Sequence, residues 1–160
     1  MAQKKILQRV VCVLSVVACF SAASFPAHAK EIVVYHEKTT TESEAEDTWY
    51  SVARGTYLAL GTGKIKREGN GRVSISGSTT ATQVCDTLKV ALYLDESSDN
   101  KNYGTIGTYH YSGKNDVSVS GYETNIRVTS GCYYRVRGVH SVTHNNTTET
   151  TSSNTDAIIA

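Results

Sequence analysis

The residues best suited to chemistry cluster in one short run, residues 131–141, "GCYYRVRGVHS". On an extended strand Cys132, Tyr134, Val136 and Gly138 would face one way, and Tyr133, Arg135, Arg137 and Val139 the other. Guanidinium forks grip carboxylates and phosphates at two points, and tyrosine adds flat apolar area, so the second side has the chemistry of an anion-recognising face. A second run, residues 84–95, "VCDTLKVALYLD", extends that face with Lys89 and Tyr93 if it lies alongside and points the same way. The same side chains would serve equally well as cross-strand pairs on the wet side of a sheet, with no ligand at all.

Catalytic patterns are missing by contrast. There is no GxSxG, no HExxH and no phosphate-cradling glycine loop; "GTGKIKREGNG" has glycines and lysines at the wrong spacing. His140 and His144 on one strand would stand about 13 Å apart, too far to share a metal unless the chain turns between them, and they read as surface histidines. Asp86 and Glu123 form a carboxylate pair only if the fold joins them. No catalytic residue, metal or cofactor is therefore assigned, and the chain reads as a non-enzyme.

The N-terminus speaks to compartment. Lys4, Lys5 and Arg9 precede an apolar run, residues 10–20, and small residues Ala27 and Ala29 close the segment. This three-part pattern predicts a secretory signal over residues 1–29, cut between Ala29 and Lys30. The apolar run is short of the about 20 residues a span needs, so no membrane span is expected after signal removal. Removal leaves Cys85 and Cys132 as the remaining cysteines. In an oxidising compartment they would pair, contributing roughly 4 kcal/mol by chain-entropy reasoning. Two buried free thiols are the alternative.

Residues 30–48 carry six acids against two lysines and read as an acidic, disordered leader. Residues 49–160 hold eleven Lys and Arg against nine acids, too near neutrality for the positive field that nucleic-acid binding uses. From Trp49 on, short alternating runs rich in Thr, Val and Tyr are broken by Gly, Asn, Asp and Ser turns. That predicts a single all-β domain, an immunoglobulin-like antiparallel sandwich, with a small closed barrel as the alternative. The apolar side of residues 84–95 leaves out Cys85, so an inward Cys85 calls for a β-bulge between Cys85 and Leu88.

"VARGTYL", "GNGRVSISGSTTA", "VCDTLKVALYLD" and "CYYRVRGVH", in that order across residues 50–160, resemble an uncharacterised domain-of-unknown-function family of small exported β-rich proteins from spore-forming Gram-positive bacteria. The family's aromatic before "YYRVRG" is Cys132 here, a departure that supplies a partner for Cys85. The resemblance implies a secreted β domain and no activity. The functional expectation is a secreted, non-catalytic binding module for an anionic cell-wall polymer or another protein, through Tyr133, Arg135, Arg137, Lys89 and Tyr93. The alternative is a small effector, an antimicrobial, toxin or protease inhibitor, released by removal of the acidic leader.

Overall fold

A computed structural model describes residues 38–51 and 56–160; the expected signal and its cleavage site at Ala29 and Lys30 lie outside the described residues. The described residues form seven strands and no helix: β1 Glu44–Tyr50, β2 Leu58–Arg67, β3 Arg72–Ser97, β4 Gly104–Arg127, β5 Tyr133–His144, β6 Thr147–Asn154 and β7 Ile158–Ile159. All pair antiparallel in one sheet, with the path β1-β2-β3-β5-β6, β4 added beside β3 and β7 beside β5. The domain is single and all-β, and its sheet curls into a half-barrel.

The long strand β3 generates that shape. Its first part pairs with β2 on one side, its last part pairs with β5 on the same side, and β4 follows it on the other. Inward-facing glycines make room for the curl. Gly63, Gly77 and Gly121 stand opposite one another across β2, β3 and β4. A Cβ on Gly77 would lie 2.6 Å from the Leu92 side chain, and one on Gly121 only 2.0 Å from the Tyr111 ring. The far half of the ribbon thus packs its side chains directly onto the bare backbone of the near half. Ile65, Val73, Ile75, Leu92, Leu94 and Val136 fill this main core, and Leu58, Ala81, Cys85, Leu88 and Val142 form a smaller one.

Turn chemistry agrees with the sequence. Gly69, Asn70 and Gly71 take left-handed conformations between β2 and β3, and Asn145 and Asn146 do so in the two-residue β5–β6 hairpin. The Asp99 carboxylate accepts from the N–H groups of Lys101 and Asn102 after β3, at 2.9 and 2.8 Å.

Three expectations need correction. Residues 44–48 are not a disordered leader but most of β1, and Thr39 bridges Ala157. Their acids had hidden the strand: Glu44 and Glu46 face outward onto Lys64 at 3.2 and 3.9 Å, and Asp47 accepts from the Asn154 N–H at 2.7 Å. Residues 30–37 lie outside the described residues. Second, Cys85 and Cys132 are both free thiols. They flank opposite ends of the β3–β5 ladder, which runs from Thr87↔Thr143 to Ser97↔Tyr133. That is roughly 33 Å measured along the strand, whereas a bridge tolerates Cα atoms about 7 Å apart at most. Third, β3 does change phase between Cys85 and Leu88, both buried, but the break in its register with β4 lies between Thr80 and Cys85.

Candidate functional site

The outward side chains of β5 are the ones the alternation predicts: Tyr134, Val136, His140 and Val142 are buried, and Tyr133, Arg135 and Arg137 face out. Register then decides what they meet. Arg137 stands opposite Tyr93, Arg135 opposite Asp95, Tyr133 opposite Ser97 and Lys89 opposite Ser141.

Asp95 organises this face. It is 2% exposed although it lies on the outward side of β3 with Tyr93, because Arg135 opposite it and the neighbouring Arg137 cover it. Its Oδ2 accepts from Arg137 Nε at 2.5 Å and from Arg135 Nε at 3.3 Å. Its Oδ1 accepts from Thr105 Oγ1 at 2.7 Å and Arg137 Nη2 at 3.1 Å. Burial alone would raise the Asp95 pKa; the Arg137 and Thr105 hydrogen bonds and the charge of both arginines outweigh it and hold the carboxyl below its ordinary value. The same contact raises the Arg137 pKa against the opposing effect of burial. Arg135 lies over the Tyr103 ring, 4.1 Å from its centroid, and Arg137 over Tyr93 at 5.2 Å. Tyr93 in turn meets His110 edge-on at 6.4 Å.

The two arginines differ in reach. The Arg135 side chain is 12% exposed and packed into the cluster, whereas that of Arg137 is 42% exposed. Lys89 lies two outward rows from Tyr93, about 13 Å along the strand. Between them runs a shallow groove of about 360 Å³ lined by Lys89, Ala91, His110, Ser112, Val139 and Ser141. The expected residues are therefore brought to one face in three places: Arg135, Arg137 and Tyr93 around Asp95, Lys89 beyond the groove, and Tyr133 at the far end beside Ile159. The face carries three cations against one carboxylate.

The chain matches the family of unknown function DUF6147 over residues 27–158. It belongs to that family. The DUF6147 match starts well before residue 50, where the motif resemblance begins, and so takes in β1 and the acidic segment before it. No curated protein matches the chain.

Sequence reasoning missed Asp95, Tyr103 and Thr105. The signal was present as "YLDES", in which Asp95 falls on the same side of the alternation as Lys89 and Tyr93, but only the pairing of β3 with β5 shows that it meets the arginines. It also misjudged His140, which is not on the surface but fully buried. Nδ1 lies 3.0 Å from Thr79 Oγ1 and Nε2 2.9 Å from Ser153 Oγ. Thr79 donates its hydroxyl hydrogen to the Lys89 carbonyl at 2.9 Å, so Nδ1 donates to Thr79, and Nε2 accepts from Ser153. Burial pushes the imidazole down to about 4, against the opposing effects of a Ser78 backbone hydrogen bond and the Asp47 charge. A serine–histidine hydrogen bond is a nucleophile–base pairing in other settings. Here the backbones of Gly61 and Gly138 close over the ring, each approaching so tightly that a Cβ would clash with it.

His144 lies 3.8 Å from Asp86 and 3.1 Å from Gln83, away from His140. Asp86 and Glu123 do not meet: Asp86 accepts from the Asn145 N–H, and Glu123 from the Tyr111 hydroxyl. Among the described residues no group of three or more His, Cys, Asp or Glu is placed to hold a metal ion.

Proposed function

We propose that this chain is exported by its N-terminal signal and acts outside the cell as a non-catalytic binding module for an anionic polymer, of the cell wall or on a partner protein. The reading rests on one observation. Arg137 is held outward by Asp95 and Tyr93 beside a groove that ends at Lys89. Because Asp95 fixes the guanidinium through Nε and one Nη2 hydrogen, little side-chain freedom remains to be lost when a phosphate or carboxylate docks. The excess of cations over acid on this face gives the sign of the partner.

The test is a titration of the chain starting at Lys30 with poly(glycerol phosphate) and with poly(glutamate), using neutral dextran as control. Binding to the anionic polymers that weakens with salt is expected, and Arg137→Gln with Lys89→Gln should weaken it about thirtyfold, each lost charge contact being worth roughly 1 kcal/mol at a partly exposed site. Equal binding by the double variant, or none by the parent chain, overturns the reading. The effector alternative is set behind it, because a cut near Trp49 would strip most of β1 from the edge of the sheet.

A further inference from the structure

Strand β4 is long and mostly exposed. It runs for 24 residues, and among the described residues it pairs with β3 alone. Its other side therefore presents a row of backbone N–H and C=O groups, and what complements such an edge is another extended strand. Proteins blunt edges of this kind with proline, inward charges or shortness. Here there is no proline, Glu123 is engaged by Tyr111, and Ile106, Val117 and Tyr122 are exposed at 50%, 43% and 73%. The charges near the middle of the strand are Lys114 and Asp116.

We propose that the occupant of this edge is β4 of a second copy of the chain, paired antiparallel about a two-fold axis at Asn115. Three observations select that register. First, it overlaps the two strands along almost their full length. Second, it puts Lys114 of each copy opposite Asp116 of the other, twice over. Sliding the pair by one residue pair in either direction puts lysine opposite lysine or aspartate opposite aspartate, which destabilises a sheet. Third, it keeps the faces matched. Tyr109, Tyr111, Val119 and Gly121 face inward in both arms of β4, and His110, Ser112, Ser120 and Tyr122 face outward. A two-fold at Asn115 pairs Tyr111 with Val119, Tyr109 with Gly121, His110 with Ser120 and Thr108 with Tyr122, so inward meets inward and outward meets outward, as a sheet demands.

The local backbone fits the same axis. Asn115 is left-handed, with φ 52°, and Asp116 accepts from the Val117 N–H at 2.7 Å, so the strand kinks at that point. In a symmetric pair both kinks fall at the axis, and each straight arm meets the opposite arm of the other copy. The product is one continuous sheet through two half-barrels, an isologous contact that closes on itself and does not propagate.

Sedimentation equilibrium of the chain starting at Lys30, across the micromolar to millimolar range, should show a dimer. Lys114→Asp alone, or Asp116→Lys alone, should weaken it at least tenfold by placing like charges opposite each other. The double swap Lys114→Asp with Asp116→Lys should restore it. Amide hydrogen exchange should slow at the free edge of β4 as concentration rises. A monomer throughout overturns the proposal, whether a foreign strand or residues 30–37 cover the edge instead. So does a dimer that neither single change weakens. A double swap that folds normally, by far-UV circular dichroism, yet stays monomeric also overturns it.

Discussion

At Asp95 a single buried carboxylate decides how two arginines behave. Removing one partner of a buried ion pair costs about 3–5 kcal/mol because the other charge is left uncompensated. Asp95→Asn should lower the urea unfolding free energy by less than that, about 2–3 kcal/mol, because the Arg137 side chain is 42% exposed and re-solvates while Arg135 stays packed in the cluster. His140 has the opposite sign of interest. Its pKa is lowered to about 4 in the fold, against about 6.5 when unfolded. The unfolded chain thus binds the proton first, and the stability contribution is whole above about 6.5 and lost as pH falls toward 4, up to about 3 kcal/mol. Urea titrations at pH 7.5 and pH 4.5 should show this loss, and His140→Gln should flatten it. The arginines' outward direction was legible in the sequence, because alternation alone fixes it. The same alternation puts His140 on the inward side, but its complete enclosure was not legible, since Gly61, Thr79 and Ser153 that surround it come from three other strands.

Among the elements, the row of glycines across β2, β3 and β4 explains why alternating strands form a curl and not a flat sheet. Gly121→Ala places a methyl inside the Tyr111 ring, and overpacking of this kind costs about 1–3 kcal/mol. Thermal unfolding should show the loss, and Tyr111→Ala in the same chain should recover part of it. The sequence announces these strands plainly, through Val73 and Ile75 or Val90, Leu92 and Leu94. It conceals β1, whose Glu44 and Glu46 imitate an acidic tail until Lys64 is found opposite. The glycines were legible as turn signals and are in fact packing devices, a difference that only the facing side chains Leu92 and Tyr111 make visible. A bulge was expected from the phase change at Cys85, and the ladder places its irregularity a few residues earlier because Thr80 and Cys85 bracket the bend of β3.

For the molecule as a whole, the free cysteines distinguish this fold from one held by a staple. Intact mass should not change on reduction, and burial, with the nearby charges of Asp86 and Glu149, raises the Cys85 thiol pKa. Cys85 should therefore resist alkylation in the native protein and react on unfolding, while the half-exposed Cys132 reacts sooner. Long-range polar contacts perform the stapling instead. Glu149 on β6 accepts from three successive N–H groups, those of Thr56, Tyr57 and Leu58, at 2.8, 3.0 and 2.7 Å. Burial would raise its pKa, and the three donors prevail and lower it. The partners are more than ninety residues apart in sequence. A chain that appears N-terminus first therefore makes β2 long before the carboxylate that secures its beginning. The half-barrel cannot close until its final hairpin exists, so an unfinished chain stays open and threadable, and a chain cut short before Glu149 should never acquire the protease resistance of the complete one.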